Sequence, residues 1–154
     1  MQKLPSAEGC FVCGRKNPFS LKLDFYRDEE GNCVSNVVIP EQYQSYPGVT
    51  NGGIIAAILD ETSGRAINED PDLFMVTMEL TTRYRKPVPI GQPIKVVGKL
   101  IQRRGKVAQA KAEIFDQEGH LLAESIGLFV DLPQDQQNAM HEGMEGWRVY
   151  PDGA

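Results

Sequence analysis

Residues 47–68, P-G-V-T-N-G-G-I-I-A-A-I-L-D-E-T-S-G-R-A-I-N, constrain this chain more than any other stretch. They hold a turn, a glycine pair, the longest apolar run and two adjacent carboxylates. Asn-Gly can mark a two-residue hairpin, but Ile54-Ile55-Ala56-Ala57-Ile58-Leu59 follows, and then polar residues without strand alternation. Alanine and leucine favour a helix. Asn51 fits its N-cap, because its side-chain oxygen can accept from a free N–H of the first turn. A helix over 51–68 would run about 27 Å at 1.5 Å per residue. Apolar residues surround its start, so it must be covered on most sides, by a curling sheet or a second subunit. Ala56, Ala57, Asp60, Ser63, Gly64 and Ile67 share one face, with small neighbours around a single carboxylate. Glu61 lies on the side of Ile54 and Ile58, four residues before Arg65, at ion-pair spacing.

The flanks read as strands. Residues 21–26 alternate, 28–32 turn, and the valine-rich 33–39 return as a hairpin that Pro40 ends. After the helix come four strand-like segments, 75–86, 94–103, 107–115 and 121–130, and the short turns between them predict an antiparallel meander. The order is β-β-α-β-β-β-β, an α+β chain whose antiparallel sheet curls round one long helix. Three parts follow: 1–20, an N-terminal segment with a Cys-x-x-Cys loop and an unanchored start; 21–131, the folded domain; and 132–154, a tail without periodicity that Trp147 and Tyr150 could dock but that is expected to be partly disordered.

The chain of 154 residues carries a net charge of -5, which argues against non-specific nucleic-acid binding. No apolar run reaches the ~18 residues of a membrane span, and the start lacks a signal-peptide core, so a cytoplasmic location is expected. Three cysteines do not suit a disulfide framework. Cys10-Phe11-Val12-Cys13-Gly14 invites a metal or redox reading. A structural zinc site commonly has four ligands, and Cys33, His120 and His141 form no second pair at ligand spacing. The reading adopted is buried thiols in a tight loop, with no metal and no cofactor.

Read together, these motifs resemble the hotdog-fold thioesterase superfamily, in particular acyl-CoA thioesterases of the phenylacetate-pathway type. The family segment P-G-x-x-H-G-G-x-x-x-x-x-x-D-E is similar to Pro47-Gly48-Val49-Thr50-Asn51-Gly52-Gly53 through Asp60-Glu61, with Asn51 where histidine is usual. C-F-V-C-G and N-P-F-S-L-K-L resemble a subgroup's N-terminal motifs. Arg83-Tyr84-Arg85-Lys86-Pro87-Val88 and Asp116-Gln117-Glu118-Gly119 resemble its later turns. The resemblance implies a homodimer or homotetramer with joined sheets and an active site at the subunit interface. Asp60 would be general base or nucleophile, and Gly52 the N–H donor to the thioester oxygen. Asn51 would orient substrate, and Thr77 would hold the water from the opposite subunit. Gly53 and Glu61 would contact substrate, while Arg83, Arg85, Lys86, Arg104 and Lys106 are cations that could meet coenzyme A phosphates. The implied activity is hydrolysis of a small or medium acyl or aryl-acyl CoA. The alternatives are a non-hydrolytic acyl-CoA binder and, more remotely, a dehydratase.

Overall fold

The computed structural model describes all residues 1–154. One helix, α1 (Gly52–Arg65), is enclosed by a seven-stranded antiparallel sheet. The strands are β1 (Gln2–Lys3), β2 (Tyr26–Arg27), β3 (Cys33–Val38), β4 (Met75–Tyr84), β5 (Pro93–Arg104), β6 (Val107–Phe115) and β7 (Leu121–Asp131); a second helix, α2 (Gln134–Gly143), follows. α1 starts where the sequence predicts. The Asn51 side chain accepts from Gly53 N–H at 2.8 Å and from Ile54 N–H at 3.3 Å, a cap worth about 1 kcal/mol. At its other end, Arg27 donates to the Arg65 carbonyl, an acceptor that the last turn leaves open, and to the Asn68 carbonyl just beyond the helix.

The sheet can close on α1 because its inner face is small where they meet. Gly98 on β5 and Ala108, Ala110 and Ala112 on β6 are buried. A Cβ built on Gly98 would stand 2.4 Å from the Thr62 carbonyl oxygen, so glycine sets the closest approach. Ile55, Ile58 and Leu59 are buried against Ile94, Val96, Ile114 and Ala123. Each such side chain contributes about 1.5–3 kcal/mol through removal from water.

Four expectations need correction. The strand order is β1-β2-β3-β5-β6-β7-β4, so only β5, β6 and β7 form a meander. β4 crosses over to pair with β7, and β5 pairs with β3 instead. Alternation shows which face is buried, but not which strand is the neighbour. Second, residues 21–25 are not a regular strand. Leu21, Leu23 and Phe25 are buried as the alternation predicts. However, Lys22 has φ 54, and the N–H groups of Leu21 and Leu23 go to the carbonyls of Phe11 and Val12. Third, the start is anchored: β1 pairs with β2, and Leu4 is buried. Fourth, the expected aperiodic tail contains α2 and lies against the start of the chain. Ser6 pairs with Arg148, and buried Gln137 exchanges hydrogen bonds with the Phe74 backbone.

Gly98→Ala is expected to push β5 off α1 and to destabilise the fold by about 1–3 kcal/mol, read as a lower urea midpoint at unchanged slope. A change below about 0.5 kcal/mol would mean that the helix–sheet approach is not set there.

Candidate functional site

Asp60 lies in the third turn of α1, half-buried, and faces a cavity of about 310 Å³. One wall comes from α1 through Asp60, Glu61, Gly64 and Arg65. Opposite are Met75 and Thr77 of β4 and Phe129 of β7. The rest is largely apolar: Pro71, Leu73 and Phe74 from the loop between α1 and β4, Leu4, Ala7, Cys10 and Cys13 from the start of the chain, and Met144 and Trp147 from its finish. Trp147 does dock the tail, as the sequence allows, but that it and Leu4 close a cavity is not readable from residues that carry no periodic signal. Trp147 is held where its ring N–H donates to Asp72 at 2.7 Å and its edge meets Phe74.

Thr77 Oγ donates to Asp60 Oδ1 at 2.7 Å. The resemblance implied a hydroxyl from the opposite subunit, whereas here both groups belong to one chain. The β4–β7 register shifts between Thr77 and Glu79, a bulge at Met78 beside the bond. Burial raises the Asp60 carboxyl above its ordinary value, the Thr77 hydrogen bond opposes the rise, and the charge of Glu61 adds to it. Asp60 is therefore a better proton acceptor, once ionised, than a solvated aspartate.

At the helix start, the Asn51 side chain occupies the N–H groups of Gly53 and Ile54. Gly52 N–H has no partner and stands at the positive end of α1. Of the two glycines predicted to meet substrate, Gly52 is thus the one with a free donor. Tyr84, which sequence reading passed over, donates from its hydroxyl to the Gly52 carbonyl at 2.7 Å.

Glu61 forms the predicted pair with Arg65 at 2.8 Å. Arg65 also donates to the Pro5 carbonyl and to Cys13 Sγ, and its guanidinium stacks 4.5 Å from the Phe25 ring centre. The hydrogen bond with Cys10, joined by Arg65, lowers the Cys13 thiol to about 6 against burial, while Cys10 is raised. The five predicted cations do not form one cluster. Arg83, Arg85 and Lys86 are exposed near the end of β4, with Arg85 beside Glu124 at 3.4 Å. Arg104 and Lys106 flank the β5–β6 turn, where the Lys106 carbonyl bonds Asp131. Glu124 and Asp131 lie seven residues apart on β7, about 23 Å at strand rise, so the two groups sit at opposite ends of the sheet. None of the five lines the cavity.

The family model described as the thioesterase superfamily matches residues 47–123, half of the chain, from the turn before α1 into β7. The chain belongs to the thioesterase superfamily. It is similar to mouse acyl-coenzyme A thioesterase THEM4, 31% identical over 114 residues, which are 73% of this chain and 48% of the mouse protein. The chain thus spans about half the length of that relative. Among solved structures, a thioesterase superfamily protein aligns at TM-score 0.74 and 28% identity, covering 80% of this chain and 63% of that one. The PaaI protein from the phenylacetic acid degradation operon of E. coli aligns at 0.66 and 18%, covering 73% and 81%. A Streptococcus mutans protein bound to acetyl-CoA aligns at 0.64 and 17%, covering 71% and 88%. The last two share the fold. This superfamily member has the curled sheet and central helix expected of a hotdog fold. No helix is long and apolar enough to cross a membrane.

Thr77→Val removes the hydrogen bond that favours ionised Asp60. Its carboxyl midpoint, followed by carbon-13 NMR, should therefore move up relative to wild type. An unchanged or lower midpoint would show that the Thr77 bond does not hold the carboxylate.

Proposed function

We propose that the chain hydrolyses the thioester of a small or medium acyl or aryl-acyl CoA, with Asp60 as general base. The observation that carries this reading is the half-buried Asp60 at the edge of a largely apolar cavity, one oxygen held by Thr77 and the other free. The acyl group enters the cavity. Water bound at the free oxygen of Asp60 gives up a proton as it attacks the carbonyl carbon, and the oxyanion that forms is met by Gly52 N–H. Collapse of the tetrahedral intermediate breaks the C–S bond, and the departing thiolate takes the proton from Asp60. The names of the mouse relative and of the acetyl-CoA-bound neighbour support coenzyme A as the thiol carrier.

Gly52 and Asp60 are eight residues apart on one helix, about 12 Å at helical rise. A thioester carbonyl, about 1.2 Å long, cannot touch both within one chain. The reading therefore takes two copies with their α1 helices antiparallel, so that Gly52 of one meets a carbonyl one water away from Asp60 of the other. β4 supports such a pairing, because it is a ten-residue edge strand that leaves Val76 and Met78 exposed. In that homodimer, or a homotetramer built from it, Arg83, Arg85 and Lys86 stand near the Gly52 end, where coenzyme A phosphates would arrive. Arg104 and Lys106 remain candidates for the same phosphates from a partner chain. Asn51 serves the site by holding the first turn, which leaves Gly52 as the free donor.

Thiol release measured over a panel of acyl-CoA thioesters should show turnover by the wild type. Asp60→Asn should lower it by about 10²–10⁴-fold with an unchanged melting temperature. Equal rates in both proteins would remove Asp60 from the chemistry, and binding without turnover in the wild type would mark a non-hydrolytic acyl-CoA binder. In a single turnover in oxygen-18 water, a general base leaves the label in the released acid alone. Label in the Asp60 carboxyl would indicate a covalent anhydride instead.

A further inference from the structure

The geometry points to a site for a divalent d-block cation, of the Zn²⁺ class, formed by Cys10, Cys13 and Glu61. The sulfur atoms of the two cysteines and a carboxylate oxygen of Glu61 all lie within 4.8 Å of one another. Counting cysteines and histidines along the chain finds no such set, because the third ligand is a carboxylate brought by α1 from 48 positions beyond Cys13.

The loop has the form that a chelating Cys-x-x-Cys requires. Cys13 N–H donates to Cys10 Sγ at 3.3 Å, and Gly14 N–H donates to the Cys10 carbonyl at 2.9 Å. A Cβ on Gly14 would stand 2.3 Å from that carbonyl oxygen, so the tight turn admits only glycine. The loop folds back so that both sulfurs lie beside Glu61, in the C-terminal half of α1. Arg65 donates to Cys13 Sγ at 3.2 Å and to Glu61 at 2.8 Å. It thereby orients two of the ligand atoms from outside, as groups behind metal ligands commonly do.

Charge points the same way. Two thiolates and one carboxylate carry three negative charges, of which Arg65 offsets one. A divalent ion neutralises the remaining two, and its binding releases the thiol protons that the cluster keeps without it. Thiolate with carboxylate at three positions suits zinc, and the fourth opens into the cavity that Cys10, Cys13 and Glu61 line, where water can complete a tetrahedron. The ion ties the N-terminal loop to α1 and closes one end of the cavity beside Asp60. The site is independent of the hydrolytic reading, since it needs neither substrate nor a second subunit.

Full-length protein saturated with zinc and then dialysed against metal-free buffer should retain about one zinc per chain by mass spectrometry. Cobalt(II) should replace it with a thiolate-to-cobalt charge-transfer band in the near ultraviolet. Cys13→Ser should weaken cobalt binding at least about 100-fold and Glu61→Gln at least about 10-fold, in proportion to their share of the ligands. Stripping zinc from the wild type with a chelator should lower its melting temperature, and zinc should restore it, a readout that does not depend on variants folding. The inference is overturned if reduced wild type retains no stoichiometric metal and gives no charge-transfer band. It is equally overturned if both variants bind as tightly as wild type, which would place the metal elsewhere, such as at Asp116, Glu118 and His120 in the β6–β7 turn. A Cys10–Cys13 disulfide that forms readily in the presence of excess zinc would also overturn it.

Discussion

The contact between Gly98 and the backbone of Thr62 governs the rest of the molecule. It lets the sheet come down onto α1 until sheet and helix backbones nearly touch. A helix held that closely cannot shift or rotate, so each residue along it has one environment. Ile58 and Leu59 are sealed in the core. Asp60, the next position, is left at the margin, buried enough to be a strengthened base and open enough to be reached. Five residues on, Arg65 faces the start of the chain and binds it through the Pro5 carbonyl and Cys13.

The two ends of α1 thus have different uses. Its N-terminus offers one free amide, because Asn51 has taken the next two. Its C-terminal half holds the carboxylates and the guanidinium around which the cavity is built. In the proposed reaction, the separation of Gly52 from Asp60 along one helix leaves the site shared between two chains. The exposed β4 edge is the surface on which the proposed second copy would pair. The segments that finish the cavity, Leu4 to Cys13 and Met144 to Trp147, lie outside residues 47–123 that match the superfamily model. The shared part of the fold therefore carries the proposed chemistry and part of the apolar wall through Leu73 and Phe74, and the chain's own ends complete that wall.

Much of this was legible in the residues. Asn51-Gly52-Gly53 followed by an alanine-rich apolar run announces a capped, buried helix, and the small residues around Asp60 mark it as the carboxylate off the solvent face. Glu61 and Arg65 at i, i+4 announce their pair. Strand neighbours were not legible: a period of two tells inward from outward, but the crossover that carries β4 to the far edge leaves no local trace. The Leu21–Leu23–Phe25 alternation gave the right burial but the wrong hydrogen bonding, because the positive φ of Lys22 turns those amides toward Phe11 and Val12. Trp147 stood out as a residue that could dock the tail, but the partners of the anchors at the chain ends were illegible for another reason. Trp147 to Asp72 and Gln137 to Phe74 are single long-range bonds, with no repeating pattern to announce them.

The most direct test is a crystal structure of the protein with a non-hydrolysable acyl-CoA analogue. The expected result is the acyl group in the cavity beside Phe74 and Trp147, with the carbonyl oxygen at hydrogen-bond distance from Gly52 N–H of one chain. The carbon should lie one water away from the Asp60 carboxylate of the other. An analogue bound away from Asp60, or a monomer in which one chain's Gly52 and Asp60 both contact the carbonyl, would contradict it.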